Sequence, residues 1–310
     1  MDYHHVPVLL MQTVDGLKVR PDGIYLDGTL GGAGHAEDIL KRLDTGKLIA
    51  NDFDEEAIEN GKERLKKYGD KVIFIRGDFK DVCEKLDEMG IEKLDGAVFD
   101  LGVSSHQIDT AERGFSYVKD APLDMRMDQD RSLTAKIIVN EYSEKELSDI
   151  FFTYGEERLA KKIARRIVER RKVRPIEGTI ELAELVWECY PPKERYRGGN
   201  PAKRVFQSLR IAVNGELDGL KEFLIKISLR LKPGGRLACI SFHSLEDRAV
   251  KQAFKELETD CVCDKRTTPV CVCGKRSEAL LVTPKPILGK TEDKENPRAE
   301  SAKLRILERK

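Results

Sequence analysis

The chain has 310 residues, enough for one large domain or two ordinary ones with a sizeable core. Apolar residues make up 40% and charged residues 35%, and 55 Lys+Arg are balanced by 55 Asp+Glu. Net charge therefore excludes neither a polyanionic partner nor its absence, and only local charge clusters can speak to one.

The N-terminal "MDYHHVPVLL" lacks the basic start and long apolar core of a signal peptide. No stretch reaches the roughly 18 apolar residues of a membrane span. Cys83, Cys189 and Cys239 sit singly inside apolar periodic segments, a usage that suits a reducing cytoplasm better than a disulfide scaffold.

From residue 23 strands alternate with helices. "GIYLDGTL", "KLIANDF", "KVIFIRGDF" and "LDGAVFDLGV" read as strands. "AEDILKRL", "EEAIENGKERLKKY" and "DVCEKLDEMG" read as the helices between them. Short apolar runs spaced by helical patterns predict a parallel sheet covered on both faces. From about residue 104 to 210 the rhythm changes, and "LTAKIIVNEY", "EKELSDIFFTYG", "EERLAKKIARRIVERRK" and "TIELAELVWECY" all have helical spacing. The β/α pattern resumes with the helix "GELDGLKEFLIKISLRL", a Pro-Gly-Gly stop at 233–235, the strand "GRLACISFH", a further strand "ALLVTPKPI" and a final "AKLRILER". "GKTEDKENPRAES" reads as a polar surface loop. The expected architecture is an α/β domain of residues 1–104 and 211–310, interrupted by an all-helical subdomain at 105–210.

The glycine-rich turn "DGTLGGAGH" lies between the first strand and its helix, where Gly31, Gly32 and Gly34 let the backbone approach a ligand closely. Asp52 ends the second strand about twenty residues on, the usual place for an acid that holds ribose hydroxyls. The dinucleotide fingerprint requires G-x-G-x-x-G, which the order Gly-Gly-Ala-Gly-His does not supply, so S-adenosylmethionine is preferred over NAD. Asp100, at the end of the fourth strand, falls on the edge of the sheet that faces the ligand crevice, or else caps a loop there.

"ERGFSYVKDAPLDMRMD" concentrates Arg113, Phe115, Asp124, Arg126 and Asp128 in one irregular segment, which fits either a functional loop or a structural ion-pair network. Two basic clusters follow: Lys161, Lys162, Arg165, Arg166, Arg170, Arg171, Lys172 and Arg174, then Lys193, Arg195, Arg197, Lys203, Arg204 and Arg210 among Tyr190, Tyr196 and Phe206. Basic residues interleaved with aromatics suit an RNA backbone and its bases, and solvated helix faces are the plainer reading. In "SFHSLEDR", Ser241 and His243 lack a G-x-S-x-G elbow, so His243 and Asp247 are expected to line or fix the wall of the crevice instead of forming a triad. The quartet Cys261, Cys263, Cys271 and Cys273 fits zinc, a redox pair or free thiols, and no metal is expected in catalysis.

Taken together, "HVPVLL", "DGTLGGAGH", "DLGVSSHQID", "RGFSY", "PLDMRMD", "YGEERLAKKIARRIVERR", "FQSLRIAVNGEL", "LKPGGRLACISFHSLEDR" and "NPRAESAKLR" closely resemble the bacterial 16S ribosomal RNA methyltransferases that act on cytosine N4. The resemblance implies a Rossmann-like class I methyltransferase sheet, with the helical insert recognising RNA. It implies S-adenosylmethionine as cofactor and 16S ribosomal RNA, within the small ribosomal subunit, as partner, and it leaves a homodimer open. By matching motif it assigns the cofactor to Ala33, Gly34, His35, Asp52, Phe79, Asp100 and Gln107. The family often has glycine where Ala33 stands and proline where His106 stands. Asp100 is followed by Leu101, Gly102 and Val103 without the aromatic of many amino-directed methyltransferases, so Phe115 becomes the candidate clamp. Catalysis is expected from Asp100 or Asp124 as acceptor of the N4 proton, with Arg126 and His243 orienting the flipped base or its phosphate. The rival readings are an RNA-binding assembly factor without turnover and an NAD-dependent oxidoreductase.

Overall fold

The computed structural model describes residues 7–195, 199–264 and 270–310. These form two compact units, one made of the chain up to Gly102 and again from Leu217, the other of Val103–Glu216.

The first unit opens with α1 (Leu10–Leu17), β1 (Ile24–Asp27), α2 (Gly34–Arg42), β2 (Lys47–Asp52), α3 (Glu55–Leu65), β3 (Val72–Arg76), α4 (Val82–Glu88) and β4 (Leu94–Asp100). The second contributes α5 (Ser105–Asp109), α6 (Ala135–Glu141), α7 (Glu144–Gly155), α8 (Ala160–Arg171), α9 (Thr179–Cys189) and α10 (Ala202–Asn214). The first then resumes with α11 (Leu220–Leu229), β5 (Leu231–Ser241), α12 (Ser244–Glu258), β6 (Ala279–Leu281), β7 (Ile287–Leu288), α13 (Gly289–Glu292) and β8 (Lys303–Arg309).

The sheet runs in the order β3-β2-β1-β4-β5-β8-β6, with β7 also on β8. β1 to β5 are mutually parallel, and β8 is antiparallel to β5, β6 and β7. This is the Rossmann-like sheet expected. Strands buried on both faces alternate their side chains between two cores, as the two-residue period of a pleated strand requires. Leu26, Ile49, Phe99, Leu237 and Leu307 enter one core with α4, α11 and α12. Tyr25, Leu48, Val98, Ala238 and Ile306 enter the other with α1, α2 and α3. Each such fully buried side chain contributes about 1.5–3 kcal/mol against exposure.

Three expectations shift. The Pro-Gly-Gly at 233–235 does not separate helix from strand, because α11 ends at Leu229 and β5 already begins at Leu231. The prolyl-glycyl segment is instead an irregularity inside β5, where the register against β4 slips between Leu94 and Gly96 and Gly234 adopts φ 79°. "ALLVTPKPI" is two short strands, since Pro284 and Pro286 cannot donate to a ladder. The break between units falls at 102/103 and 216/217, where 104/105 and 210/211 were expected. A cut at 210 would divide α10, which runs unbroken to Asn214 and stops only at Gly215 with φ 61°.

The helical unit has its own core, in which Ile138, Leu147, Phe151, Ile163, Ile167, Val186 and Leu209 are fully enclosed. Among its described residues the only strand-like pairing is the bridge between Pro122 and Gly178.

Candidate active site

β1 has β2 on one side and β4 on the other, so the sheet reverses its winding between β1 and β4, the place where open α/β sheets leave a ligand crevice at the carboxyl ends of their strands. The glycine turn is fixed there by its own backbone. Gly28 N–H donates to Val98 O at 2.9 Å, Leu30 N–H to Asn51 O at 2.9 Å, and Gly31 N–H to Asp52 Oδ2 at 2.8 Å. A Cβ on Gly28 would enter the ring of Phe99, and one on Gly34 would overlap Pro7. Ala33 caps α2 in the left-handed region at φ 60° and is wholly buried. That conformation costs a non-glycine residue about 1 kcal/mol.

Three carboxylates close on this turn. Asp52 accepts from Gly31 on Oδ2 and from Asp54 N–H at 2.9 Å on Oδ1, so it pins the loop while keeping a lone pair on each oxygen for another donor. Burial pushes its pKa up to about 6, against the pull of those N–H groups. Asp27, at the end of β1, is 2% exposed, and burial drives its pKa to about 7. Asp100 donates its backbone N–H to Thr29 Oγ1 at 2.6 Å, while its Oδ1 is sealed from solvent without a hydrogen-bond partner. Burial first, then the charges of Asp27 and Glu246, hold the Asp100 pKa well above the usual carboxylate range. About a quarter of its side-chain surface, 26%, stays accessible.

His35 lies against Asp100, with Nε2 3.1 Å from Val8 O. Phe79 follows the third strand in a short 3₁₀ turn capped by Asp78. Its ring is 6% exposed and packs on Phe53, Phe99 and Phe223 at centroid distances of 5.1 to 6.1 Å, so only its rim and backbone are left for a ligand.

His243 is placed by the start of α12. It is the N-cap of α12, its Nδ1 accepting from Glu246 N–H at 3.4 Å, and its side chain is 7% exposed. Glu246 in return accepts from Phe242 N–H at 2.8 Å. Asp247 is tied to Lys303 at 3.0 Å and Arg305 at 2.7 Å on β8. His243 is thus held by α12 and Glu246, and Asp247 by β8.

In the helical unit Gln107 is 5% exposed and closes a capping box with Ser104, Oε1 accepting from Ser104 N–H at 3.0 Å. Asp124 and Arg126 form a bidentate pair, Nε to Oδ1 2.8 Å and Nη2 to Oδ2 2.7 Å. Arg126 Nη1 donates to both Gln129 O and Arg131 O at 2.7 Å. Every nitrogen of the guanidinium is thus engaged within the loop, and the paired arginine holds the Asp124 carboxyl below its ordinary pKa. This is the geometry of a structural ion pair, poor for a proton acceptor and for a guanidinium meant to orient a base. Arg113 braces the same loop through Arg126 O and Met127 O, and Asn214 clamps it to the end of α10 by bonds of 2.8 Å to Met125 O and Met127 N–H. Phe115 is half-buried against the helical core.

Part of each basic cluster is tied up within the protein. Arg170 and Arg174 pair with Glu181, Arg166 with Glu188, Arg210 with Glu216, and Arg171 donates to Val139 O and Tyr142 O. Paired Arg and Glu side chains line a groove of about 870 Å³ beside α8 and α9. Tyr190 and Phe206 are core residues, 7% and 4% exposed, and Arg195 stacks on Trp187 at 3.9 Å. Tyr196 and Arg197 lie outside the described residues. Among the described ones, the side chains of Lys161, Arg165, Lys193 and Lys203 are exposed cations without a protein partner.

Sequence reasoning passed over Asp27, Thr29, Asn51 and Asn214. Asn51 gave one signal, an amide inside the apolar strand "KLIANDF"; it is fully buried and its Nδ2 donates to Gly28 O and Gly77 O, both at 3.1 Å.

Residues 2–310 match the family model described as the MraW methylase family. The chain is 49% identical over its whole length to "Ribosomal RNA small subunit methyltransferase H" of Clostridioides difficile, covering all of that protein. It is 50% identical to the protein of that name from Lachnospira eligens and 48% identical to that of Brevibacillus brevis, covering all of this chain and 98% and 99% of theirs.

Proposed function

Because this chain belongs to the MraW methylase family, we propose that it transfers a methyl group from S-adenosylmethionine to the exocyclic N4 amine of a cytidine in the decoding region of 16S ribosomal RNA. The observation that carries the chemistry is Asp100: a carboxylate at the winding reversal of the sheet, with one sealed oxygen that nothing in the protein bonds.

The crevice fits the cofactor. Glycines keep side chains off the turn, Asp52 has lone pairs for ribose hydroxyls, and Asp27 and Asp100 are carboxyl groups that a bound cation would draw toward their charged form. When bound, S-adenosylmethionine supplies an electrophilic methyl carbon on a positively charged sulfur. The residues proposed to hold it are Ala33, Gly34, His35, Asp52, Phe79, Asp100 and Gln107.

The N4 lone pair of cytosine is delocalised into its ring, so the amine is a weak nucleophile. Holding it at near-attack distance, about 3–3.5 Å, supplies much of the acceleration. Asp100 is the proposed acceptor of the N4 proton, because a carboxylate with raised proton affinity is matched to that transfer near neutral pH. Asp124 and Arg126 are proposed to hold the loop they brace instead of touching the base. The helical insert is proposed to grip the RNA within the small subunit, in the cytoplasm, through Lys161, Arg165, Lys193 and Lys203.

The test is tritiated methyl transfer to small subunits from a strain lacking this gene, followed by mapping of the modified nucleotide. Label on N4 of a single decoding-region cytidine supports the reading. Label elsewhere, or none from protein that binds S-adenosylhomocysteine, overturns it.

A further inference from the structure

Between α12, ending at Glu258, and β6, starting at Ala279, lies a segment of twenty residues, of which 259–264 and 270–278 are described. Its neck is stapled by Ser277 N–H to Asp260 Oδ1 at 3.0 Å and Glu278 N–H to Leu257 O at 2.8 Å. Beyond the neck no helix or strand occurs among the described residues. Apolar packing does not hold the tip either, since Val262, Val270 and Val272 are 65–77% exposed.

What converges there is sulfur. The excursion carries Cys-Val-Cys twice, at 261–263 and 271–273. In extended chain, residues two apart share a face, so each motif turns both thiols one way and its valine the other. The four Sγ atoms of Cys261, Cys263, Cys271 and Cys273 all lie within 4.8 Å of one another. Cys271 and Cys273 are 3.5 Å apart and Cys261 and Cys273 3.8 Å. These separations are far beyond the roughly 2.05 Å of a disulfide, and all four cysteines are free. They match the edges of a tetrathiolate tetrahedron, which are about 3.8 Å for metal–sulfur bonds of about 2.3 Å.

We propose that Cys261, Cys263, Cys271 and Cys273 bind one zinc ion as a closed four-sulfur site that gives this excursion its fold. Four soft thiolates in a tetrahedron select zinc or iron over harder cations, and a full ligand shell leaves no position for a reacting water, so the site is structural. On binding, zinc displaces the thiol protons to solvent and leaves a site of net charge minus two. In sequence each motif is followed, one residue on, by a Lys-Arg pair, Lys265-Arg266 and Lys275-Arg276. Such a site would replace a hydrophobic core that twenty residues with three valines cannot build.

The test uses the full chain, reduced and reconstituted with zinc alone, then freed of excess metal. One zinc per chain, measured by mass spectrometry of the metal, is expected. A mercurial titration should release it together with four reactive thiols, while Cys83, Cys189 and Cys239 stay buried. Cobalt(II) should give the visible bands of a tetrahedral tetrathiolate. The double variant Cys271→Ser, Cys273→Ser should retain no zinc, gain tryptic cleavage within the Lys-Arg pairs, and still bind S-adenosylhomocysteine as the parent does. A parent that retains no zinc, or that reforms disulfides under reducing conditions, overturns the proposal. So does a double variant that keeps its zinc.

Discussion

His35 Nδ1 stands 4.0 Å from Asp100 Oδ2, while the opposite nitrogen of the ring is committed to the carbonyl of Val8. For Nε2 to donate to that carbonyl it must carry the proton, which leaves Nδ1 facing a carboxylate oxygen. At that distance the two groups are within ion-pair reach but beyond hydrogen-bond length. The helix entrance and the end of β4 are thereby brought side by side.

The first prediction concerns Asp100. Asp100→Asn keeps the shape and removes the acceptor, so kcat should fall about 10²- to 10⁴-fold with S-adenosylhomocysteine affinity within a few-fold of the parent. The parent's rate should rise with pH through an inflection above the ordinary carboxylate range, as Asp100 loses its proton, and the variant should show no such limb. Near-parental turnover in the variant would move the proton acceptor elsewhere.

Asp27 should make the fold less stable as pH rises. Its pKa is about 7 in the folded chain against about 3.9 unfolded, so the folded state binds the extra proton between these values. The stabilisation is full below pH ~4 and is lost by pH ~7, at most about 4 kcal/mol. Urea unfolding of the parent and Asp27→Asn at pH 4.5 and 7.5, conditions on either side of most of that window (roughly pH 4–7), should show the parent losing ground to the variant. Parallel pH profiles would refute the assignment.

Cofactor discrimination should follow the same titrations. S-adenosylmethionine carries a sulfonium charge that S-adenosylhomocysteine lacks, and Asp27, Asp52 and Asp100 gain negative charge as pH rises past their raised pKa values. Calorimetry should find the preference for the methyl donor over the product growing by about tenfold or more from pH ~5 to ~8. A constant ratio would mean these acids do not sense the sulfonium.

Arg126 should prove to be a brace. Arg126→Ala frees Asp124 and two carbonyls together, and should destabilise the helical unit by about 1–3 kcal/mol. Arg126→Lys should not restore it, because a single ammonium cannot reproduce the fork. Unchanged unfolding with impaired turnover would instead return Arg126 to the base-orienting role.

Lys161 and Arg165 should carry RNA affinity without carrying stability. Changing both to Ala should leave unfolding within about 0.5 kcal/mol and lower the salt dependence of RNA binding by about one unit of slope each. Arg171→Ala, which frees Val139 O and Tyr142 O, should do the reverse. An unchanged slope in the double variant would place the RNA elsewhere.

Strand order and the glycine turn were legible because buried parallel strands announce themselves as apolar runs, and because only glycine allows the approach seen at Gly28 and Gly34. The contacts that hold His243 and Arg126 were not. A histidine that caps a helix and one that meets a substrate have the same one-letter code, and the difference lies in Glu246 N–H, a backbone group that no side-chain pattern reports. The aromatics Tyr190 and Phe206 mislead for the opposite reason. Their spacing among basic residues suggested stacking on bases, but it equally fits the inner face of a helix, and burial decides for the core. Asn214, which clamps a loop almost ninety positions away, had no local signature because its partners are main-chain atoms of Met125 and Met127.

β8 pairs with β5 along six residues, and also takes β6 and β7. Until residues 303–309 enter the sheet, the edge of β5 from Arg236 to Ser241 is an open apolar template, available to any other copy of the chain in the same state. Recovery from denaturant is then a race between one intramolecular insertion and a bimolecular encounter, and dilution favours the insertion.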